Sequence, residues 1–347
     1  MTFVIQDAGK LRSLQRVLSG NGFLEICALD HQRVLKTMLS EDPDAVAFRD
    51  IVALKDRVLR AVEPSVSGVL TDVRYGGPIL VASGAMTSST GYIVEIGDEG
   101  YDIPPGPRRS RLRAGWSMEK LKLIGADVAK FLWFFRPDAD AEVADHQRGV
   151  LAQLVEQSAR YSLPMVVEPI WYPLIGEDTS SAPWRERRVQ GIVESAIEAD
   201  RLGADLLKLE FPGYLGDERG AERSHEACAE VTANTRVPWV LLSGGVGFED
   251  FDEQLRIGCS AGASGYMAGR SVWQEVAVTR DDDERDRLIG QLRSRLERLN
   301  ATTSANGRAV ELAIDLDAAV ERFPEFWYEG WQNHEQGSAE KLSAGAA

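Results

Sequence analysis

The chain has 347 residues, 44% of them hydrophobic, with Asp+Glu 54 against Lys+Arg 39 and a formal net charge of −15. That length supports one large core or two small ones. A surface this acidic argues against nucleic acid and anionic membranes as partners, but it leaves small anionic substrates open because a pocket can be locally basic.

The chain opens on "MTFVIQDAGKLRSLQRVLSG", which has no apolar stretch of signal length, and no window approaches ~18 consecutive apolar residues. Cys27, Cys228 and Cys259 are widely spaced, form no C-x-x-C pair and are odd in number. A reducing, cytoplasmic setting is expected from that usage. "AGKLRSLQRVLS" (8–19) predicts an amphipathic helix stopped by "GNG", which makes residues 1–20 an N-terminal helical segment. Strand candidates follow at 23–30, 67–72, 90–96, 126–134, 163–169, 204–211, 237–245 and 263–269. Helical stretches such as "HQRGVLAQLVEQSARY" and "RVQGIVESAIEADRLG" separate them. Near-continuous apolar strands alternating with helices predict parallel strands covered by helices, and eight such units favour closure into a (β/α)8 TIM barrel over 21–331. Gly125, Gly203 and Gly262 stand at helix-to-strand junctions, where glycine supplies a left-handed cap. The long loop "GDEGYDIPPGPRRSRLRAGWS" follows the third strand, on the face where barrels place their sites. The polar tail 332–347 is expected to be disordered.

Two strands carry a lysine in an apolar context: "GADVAKFLW" and "GADLLKLEF". Side chains alternate along a strand, so Leu207, Leu209 and Phe211 face the helices while Leu206, Lys208 and Glu210 face the barrel interior. The same reading turns Val128, Lys130 and Leu132 inward, with Val166 and Glu168 on strand five. Strands one, two and seven end in Asp30, Asp72 and Ser243. A purely structural ion-pair cluster would use the same residue types, but buried charges are costly and seldom add net stability. Their convergence at the catalytic end of a barrel points to chemistry. A lysine kept from water beside a second cation is disfavoured in its charged form, and its neutral amine attacks carbonyls to form a Schiff base. Such a reaction needs a neighbouring acid/base, a role that suits a strand-end glutamate.

Other chemistries lack parts. There is no H-E-x-x-H, the four histidines have no metal-ligand spacing, and neither G-x-G-x-x-G after the first strand nor a Walker loop is present. No metal or cofactor is therefore expected. "LLSGGVG" and "GYMAGRSVW" end strands seven and eight, where glycine turns opening onto helices form the usual barrel phosphate site. Ser243, the backbone N–H groups of Gly244 and Gly269, and Arg270 are its candidate ligands.

The phrases "ALDHQRVLKTML", "LTDVRYGGP", "EGYD", "GADVAKFLWFF", "VVEPIWY", "ADLLKLEFP", "LLSGGV" and "MAGRSVW" together resemble the class I tagatose 1,6-bisphosphate aldolases and the related sulfofructosephosphate aldolases, over roughly 20–330. The resemblance implies Lys208 as the Schiff-base lysine and Glu168 as the proton shuttle. It further implies Lys130 as the group that tunes the amine and touches substrate oxygens, and it places the first strand's aspartate at Asp30. The implied reaction is reversible cleavage of a ketohexose phosphate to dihydroxyacetone phosphate and a three-carbon aldehyde. Tagatose or fructose 1,6-bisphosphate and 6-deoxy-6-sulfofructose 1-phosphate are the implied substrates, a small sugar phosphate is the only implied partner, and a homo-oligomer stays open.

The chain departs from the pattern in places. The family's "DQRG" reads "DHQR", which sets His31 in the place of Gln and Gln32 in the place of Arg, with Arg33 one step along. In the family this loop meets the distal part of the substrate, so Gln32 and Arg33 are the candidates there. His31 is read either as a solvent-exposed helix-cap residue or as a substrate contact. "YEKTGYD" reads "IGDEGYD". Arg108, Arg109, Arg111 and Arg136 either ring the entrance, favouring an anionic tail, or form a solvated basic patch. Trp133 and Phe135 read as packing, and Tyr101 and Tyr172 stand at loop starts. Three alternatives remain at this level: a sugar-phosphate isomerase or epimerase using Glu168 as base, a non-catalytic sugar-phosphate sensor, and an aldolase for a 2-deoxy-5-keto-gluconate phosphate.

Overall fold

The computed structural model describes residues 7–98 and 105–329. The eight expected strands are present as β1 (Leu24–Leu29), β2 (Gly68–Thr71), β3 (Gly91–Glu95), β4 (Val128–Phe134), β5 (Met165–Ile170), β6 (Leu206–Leu209), β7 (Trp239–Leu242) and β8 (Gly265–Ala268). Each runs parallel to its neighbour, and β8 pairs back onto β1 through Leu24↔Gly265 to Cys27↔Ala268, closing a (β/α)8 barrel. The first six residues, the "EGYD" phrase with Tyr101, and the tail 332–347 lie outside the described residues.

Period-two alternation divides the core in two. Leu207, Leu209 and Phe211 join the large outer cluster between sheet and helices. Leu24, Ile26, Leu70, Ile93, Val128, Val166, Leu206, Val240 and Met267 fill the barrel interior. An all-parallel sheet covered by helices buries both faces, which is why its strands read as nearly unbroken apolar runs. Among the described residues no helix is long and apolar enough to cross a membrane, and the three cysteines are free and buried.

The N-terminal helix, Ala8–Val17, closes the amino-terminal end of the barrel. Its Leu14 and Val17 belong to the interior cluster, and the Val17 carbonyl accepts the Ser67 hydroxyl at 2.7 Å. The two "GAD" phrases explain how it is held. Gly203 ends the helix Ala182–Leu202 in the left-handed region at φ 104, and Gly125 takes φ 82, as the capping reading required. The aspartates two residues on grip the helix: Arg16 Nε meets Asp127 Oδ1 at 2.6 Å, and Lys10 Nζ meets Asp205 Oδ2 at 2.8 Å. Each also accepts a strand N–H, from Tyr92 at 2.8 Å and from Met165 at 2.9 Å. The repeated phrase is thus a clamp at the base of the barrel, set below the two lysine strands.

Asp205→Ala leaves the Lys10 ammonium and the Met165 N–H without their acceptor. It should cost about 2–3 kcal/mol in denaturant unfolding, whereas Asp205→Asn, which keeps an acceptor for the N–H, should cost less.

Candidate functional site

Five ionisable side chains from five different strands or strand ends meet inside the barrel at its carboxyl-terminal end. Asp30 follows β1, Glu95 ends β3, Lys130 sits on β4, Glu168 on β5 and Lys208 on β6. All five are buried, with Lys130 only 1% and Lys208 4% exposed. Glu168 Oε2 lies 3.1 Å from Lys208 Nζ and 2.6 Å from Lys130 Nζ, so one carboxylate oxygen bridges the two amines. Lys130 also meets Asp30 Oδ2 at 3.1 Å and donates to Glu95 Oε2. Burial alone would raise the Asp30 carboxyl, but the ammonium groups of Lys130 and Lys208 outweigh it and hold Asp30 well below the usual carboxylate range.

The strand readings of Lys208, Lys130, Glu168 and Asp30 therefore converge as expected. Two others do not. Asp72 pairs with Lys55 from the helix Phe48–Val62 and accepts the Tyr75 N–H at 2.7 Å, so it serves the wall of the barrel. Glu210, one residue past β6, leaves the interior to accept Arg188 at 2.8 Å and the Trp171 N–H at 2.8 Å. Glu95 is the residue that the sequence reading passed over. Ile93 faces inward, so alternation along "YIVE" puts Glu95 inward as well, and that signal was available.

The glycine turns after β7 and β8 come together as a cradle. Gly244 and Gly245 take φ 60 and 85. Ser243 is buried, its Oγ accepts the Gly269 N–H at 3.3 Å, and Arg270 Nη2 donates to the Gly244 carbonyl at 3.1 Å. Side chains are excluded here for lack of space. A Cβ on Gly245 would fall 2.9 Å from Arg270 Cζ, and one on Gly269 would fall 2.8 Å from the Ala28 carbonyl oxygen and 2.9 Å from His31 Cε1. Two glycine turns, a hydroxyl and a guanidinium thus gather beside the start of the helix Arg270–Val278, donor types that suit an anion.

His31 is not a solvent-exposed cap. It packs edge-on to Trp273, ring centroids 5.2 Å apart, with Nδ1 3.6 Å from Asp30 Oδ1. Burial lowers the imidazole to about 3, with Asp30 opposing and Arg270 and Lys208 reinforcing the fall, so it stands neutral at physiological pH. Gln32 is buried, whereas Arg33 is exposed and lies 3.8 Å from Asp44, away from the cluster. Asp30 Oδ1, His31 Nδ1 and Gln32 Nε2 are three consecutive buried polar atoms with no protein hydrogen-bond partner among the described residues.

Three of the four arginines read as either a ring at the entrance or a solvated basic patch stand on acidic partners. Arg109 pairs with Glu142, Arg111 with Asp98, and buried Arg136 with Asp138 and Glu177. Arg108 lies over the rings of Phe134 and Tyr172, 4.7 and 5.3 Å from their centroids. Tyr172 is buried with Leu132 and Phe134 in a small apolar cluster. Trp133 and Phe135 stack face to face at 4.1 Å in the outer core, as packing residues.

Residues 24–275 match the model of the DeoC/LacD family aldolases. This chain belongs to that family. It is an aldolase, and hence a lyase. It is 28% identical over 295 residues to tagatose 1,6-diphosphate aldolase 1 of Streptococcus pyogenes serotype M3 (strain SSI-1), covering 80% of this chain and 89% of that protein. It is 29% identical over 281 residues to tagatose 1,6-diphosphate aldolase 2 of Enterococcus faecalis (strain ATCC 700802 / V583), covering 77% and 84%. A solved structure of a Schiff-base-forming fructose-1,6-bisphosphate aldolase shares the fold with a TM-score of 0.57 and 18% identity, covering 86% of this chain and 99% of that one. The family places the chain among enzymes that make and break carbon–carbon bonds.

The His31 environment gives this aldolase a pH signature. A histidine lowered from 6.5 to about 3 leaves the unfolded chain binding the proton that the folded one refuses. Its contribution to stability is complete above the unfolded value and is lost as pH falls from 6.5 toward 3. Unfolding free energy should drop by about 2 kcal/mol between roughly pH 6.5 and 4.5 from this group. The drop should shrink in His31→Gln, as measured by denaturant titration at each pH.

Proposed function

We propose that this aldolase cleaves a ketose phosphate through a Schiff base on Lys208. The observation that carries the reading is the single oxygen of Glu168 held 3.1 Å from Lys208 and 2.6 Å from Lys130 in a buried site. A nucleophilic amine must shed a proton before it attacks, and Glu168 is in position to take it.

In this reaction Lys208 passes a proton to Glu168 and attacks the C2 ketone. Glu168 then protonates the carbinolamine hydroxyl, which departs as water and leaves an iminium. The same carboxylate, now ionised, removes the C4 hydroxyl proton. The C3–C4 bond breaks, its electron pair moves into the iminium to give an enamine, and the aldehyde leaves. Protonation at C3 and hydrolysis release dihydroxyacetone phosphate and restore the amine. Lys130, charged and fixed beside Asp30, steadies the oxyanions that develop near it.

The substrate class follows from the surroundings. The cradle of Ser243, Gly244, Gly269 and Arg270 would hold the C1 phosphate. The consecutive polar atoms of Asp30, His31 and Gln32 match the hydroxyls of a sugar, and a distal phosphate or sulfonate would approach Arg108 above Phe134 and Tyr172. Relatives named tagatose 1,6-diphosphate aldolase support a ketohexose bisphosphate. The products are then dihydroxyacetone phosphate and a three-carbon aldehyde.

Incubation with dihydroxyacetone phosphate and borohydride should add the reduced fragment to Lys208, seen by peptide mass. Lys208→Met should abolish both the adduct and cleavage, and an adduct that persists in that variant sinks the assignment. Glu168→Gln should keep the fold while slowing cleavage by roughly 10²–10⁴-fold, the scale of a lost general acid–base.

A further inference from the structure

We infer that Glu95 is a positioning residue, which shares the charge of Lys130 so that Glu168 is left to exchange its proton with Lys208. The inference rests on the Schiff-base reading above and concerns a strand-three residue that this reading does not use.

An ammonium group has three N–H donors. Around Lys130 stand three carboxylates: Asp30 Oδ2 at 3.1 Å, Glu168 Oε2 at 2.6 Å, and Glu95 Oε2. The site therefore holds three carboxylates against two amines. Glu95 is itself fixed from behind, because its Oε1 accepts the Gly97 N–H at 2.7 Å. Gly97 makes the room. A Cβ there would lie 2.7 Å from Glu95 Oε1 and 3.3 Å from the Phe131 ring, and the Gly97 backbone is bridged to Leu112 on its other side. Residue 97 is bare, and a buried carboxylate occupies the space that a side chain would take.

The electrostatic consequence follows from that arrangement. With Asp30 alone beside it, Lys130 would draw fully on the charge of Glu168, the one oxygen that Lys208 also needs. A second carboxylate on Lys130 loosens that hold, and the proton can then pass from Lys208 to Glu168. Asp30 from β1, Lys130 from β4 and Glu168 from β5 are the charged groups facing Glu95, with Lys208 beyond Glu168 and neutral His31 beside Asp30. Burial raises the Glu95 carboxyl, Lys130 opposes that rise, and Asp30 and Glu168 add to it. At acid pH the native enzyme therefore begins to lose the charge itself.

The test follows solvent-deuterium exchange into dihydroxyacetone phosphate by NMR across pH, a half-reaction that needs imine and enamine but no identified aldehyde. Glu95→Gln removes one negative charge, so both limbs of the rate profile should move to lower pH, by about one unit. Glu95→Asp keeps the charge and should keep the limbs. Gly97→Ala leaves the acid in place but displaces it, and should move the limbs in the same direction by less. A role in packing alone lowers the rate and leaves the limbs where they are. Unmoved limbs in Glu95→Gln, or in Gly97→Ala should the first variant fail to fold, overturn the inference, as does an equal shift in Glu95→Asp. Borohydride trapping on native Lys208 reports separately: if it fails, the Schiff-base reading falls, and if it holds with unmoved limbs, only the role of Glu95 falls.

Discussion

The site turns on one oxygen shared by two buried amines. Glu168 Oε2 is within 3.1 Å of Lys208 and 2.6 Å of Lys130, where water does not screen their charges. Removing either amine leaves carboxylates with uncompensated charge in an apolar barrel, which is a heavier loss than the pairing itself is worth. The cluster therefore depends most on its two amines. It persists because the strands around it, packed on both faces, hold their side chains against relaxation.

That rigidity comes from below. The interior layers of Leu, Ile, Val and Met fill the barrel up to the charged level, and the N-terminal helix closes its floor. The clamp residues Asp127 and Asp205 sit three residues before Lys130 and Lys208 in the same strand segments. Each lysine is thus threaded from a fixed anchor through one buried turn of the pleat to the site. Catalytic groups carried on strands need this kind of support to stay within a fraction of an ångström of their working positions.

Much of this was legible in the chain. All eight strands, the inward set Lys130, Glu168 and Lys208, and the paired glycine turns after β7 and β8 follow from period-two alternation and from glycine placement, both of which are local rules. The misread arginines and Asp72 share one cause: local pattern does not say what a charged side chain meets across space. Arg109, Arg111 and Arg136 look like a basic rim until Glu142, Asp98, Asp138 and Glu177 are found on them. Asp72 reads as a site residue until Lys55 arrives from the preceding helix, Phe48–Val62. Glu210 keeps the parity of Lys208, but β6 ends at Leu209 and alternation ends with it. Glu95 was missed for the opposite reason, because parity alone sufficed and was not applied to β3.

The floor clamp also bears on how the chain is made. Its two ion pairs join residues 195 and 111 positions apart in sequence. The helix is made well before Asp205, so its second anchor is missing until β5 and the helix after it have been made. Until then its apolar face, Leu14 and Val17, has no finished floor to seal. A segment made before the eight strands is in this way locked only after five of them have been made, and until then the nascent barrel stays open at its floor.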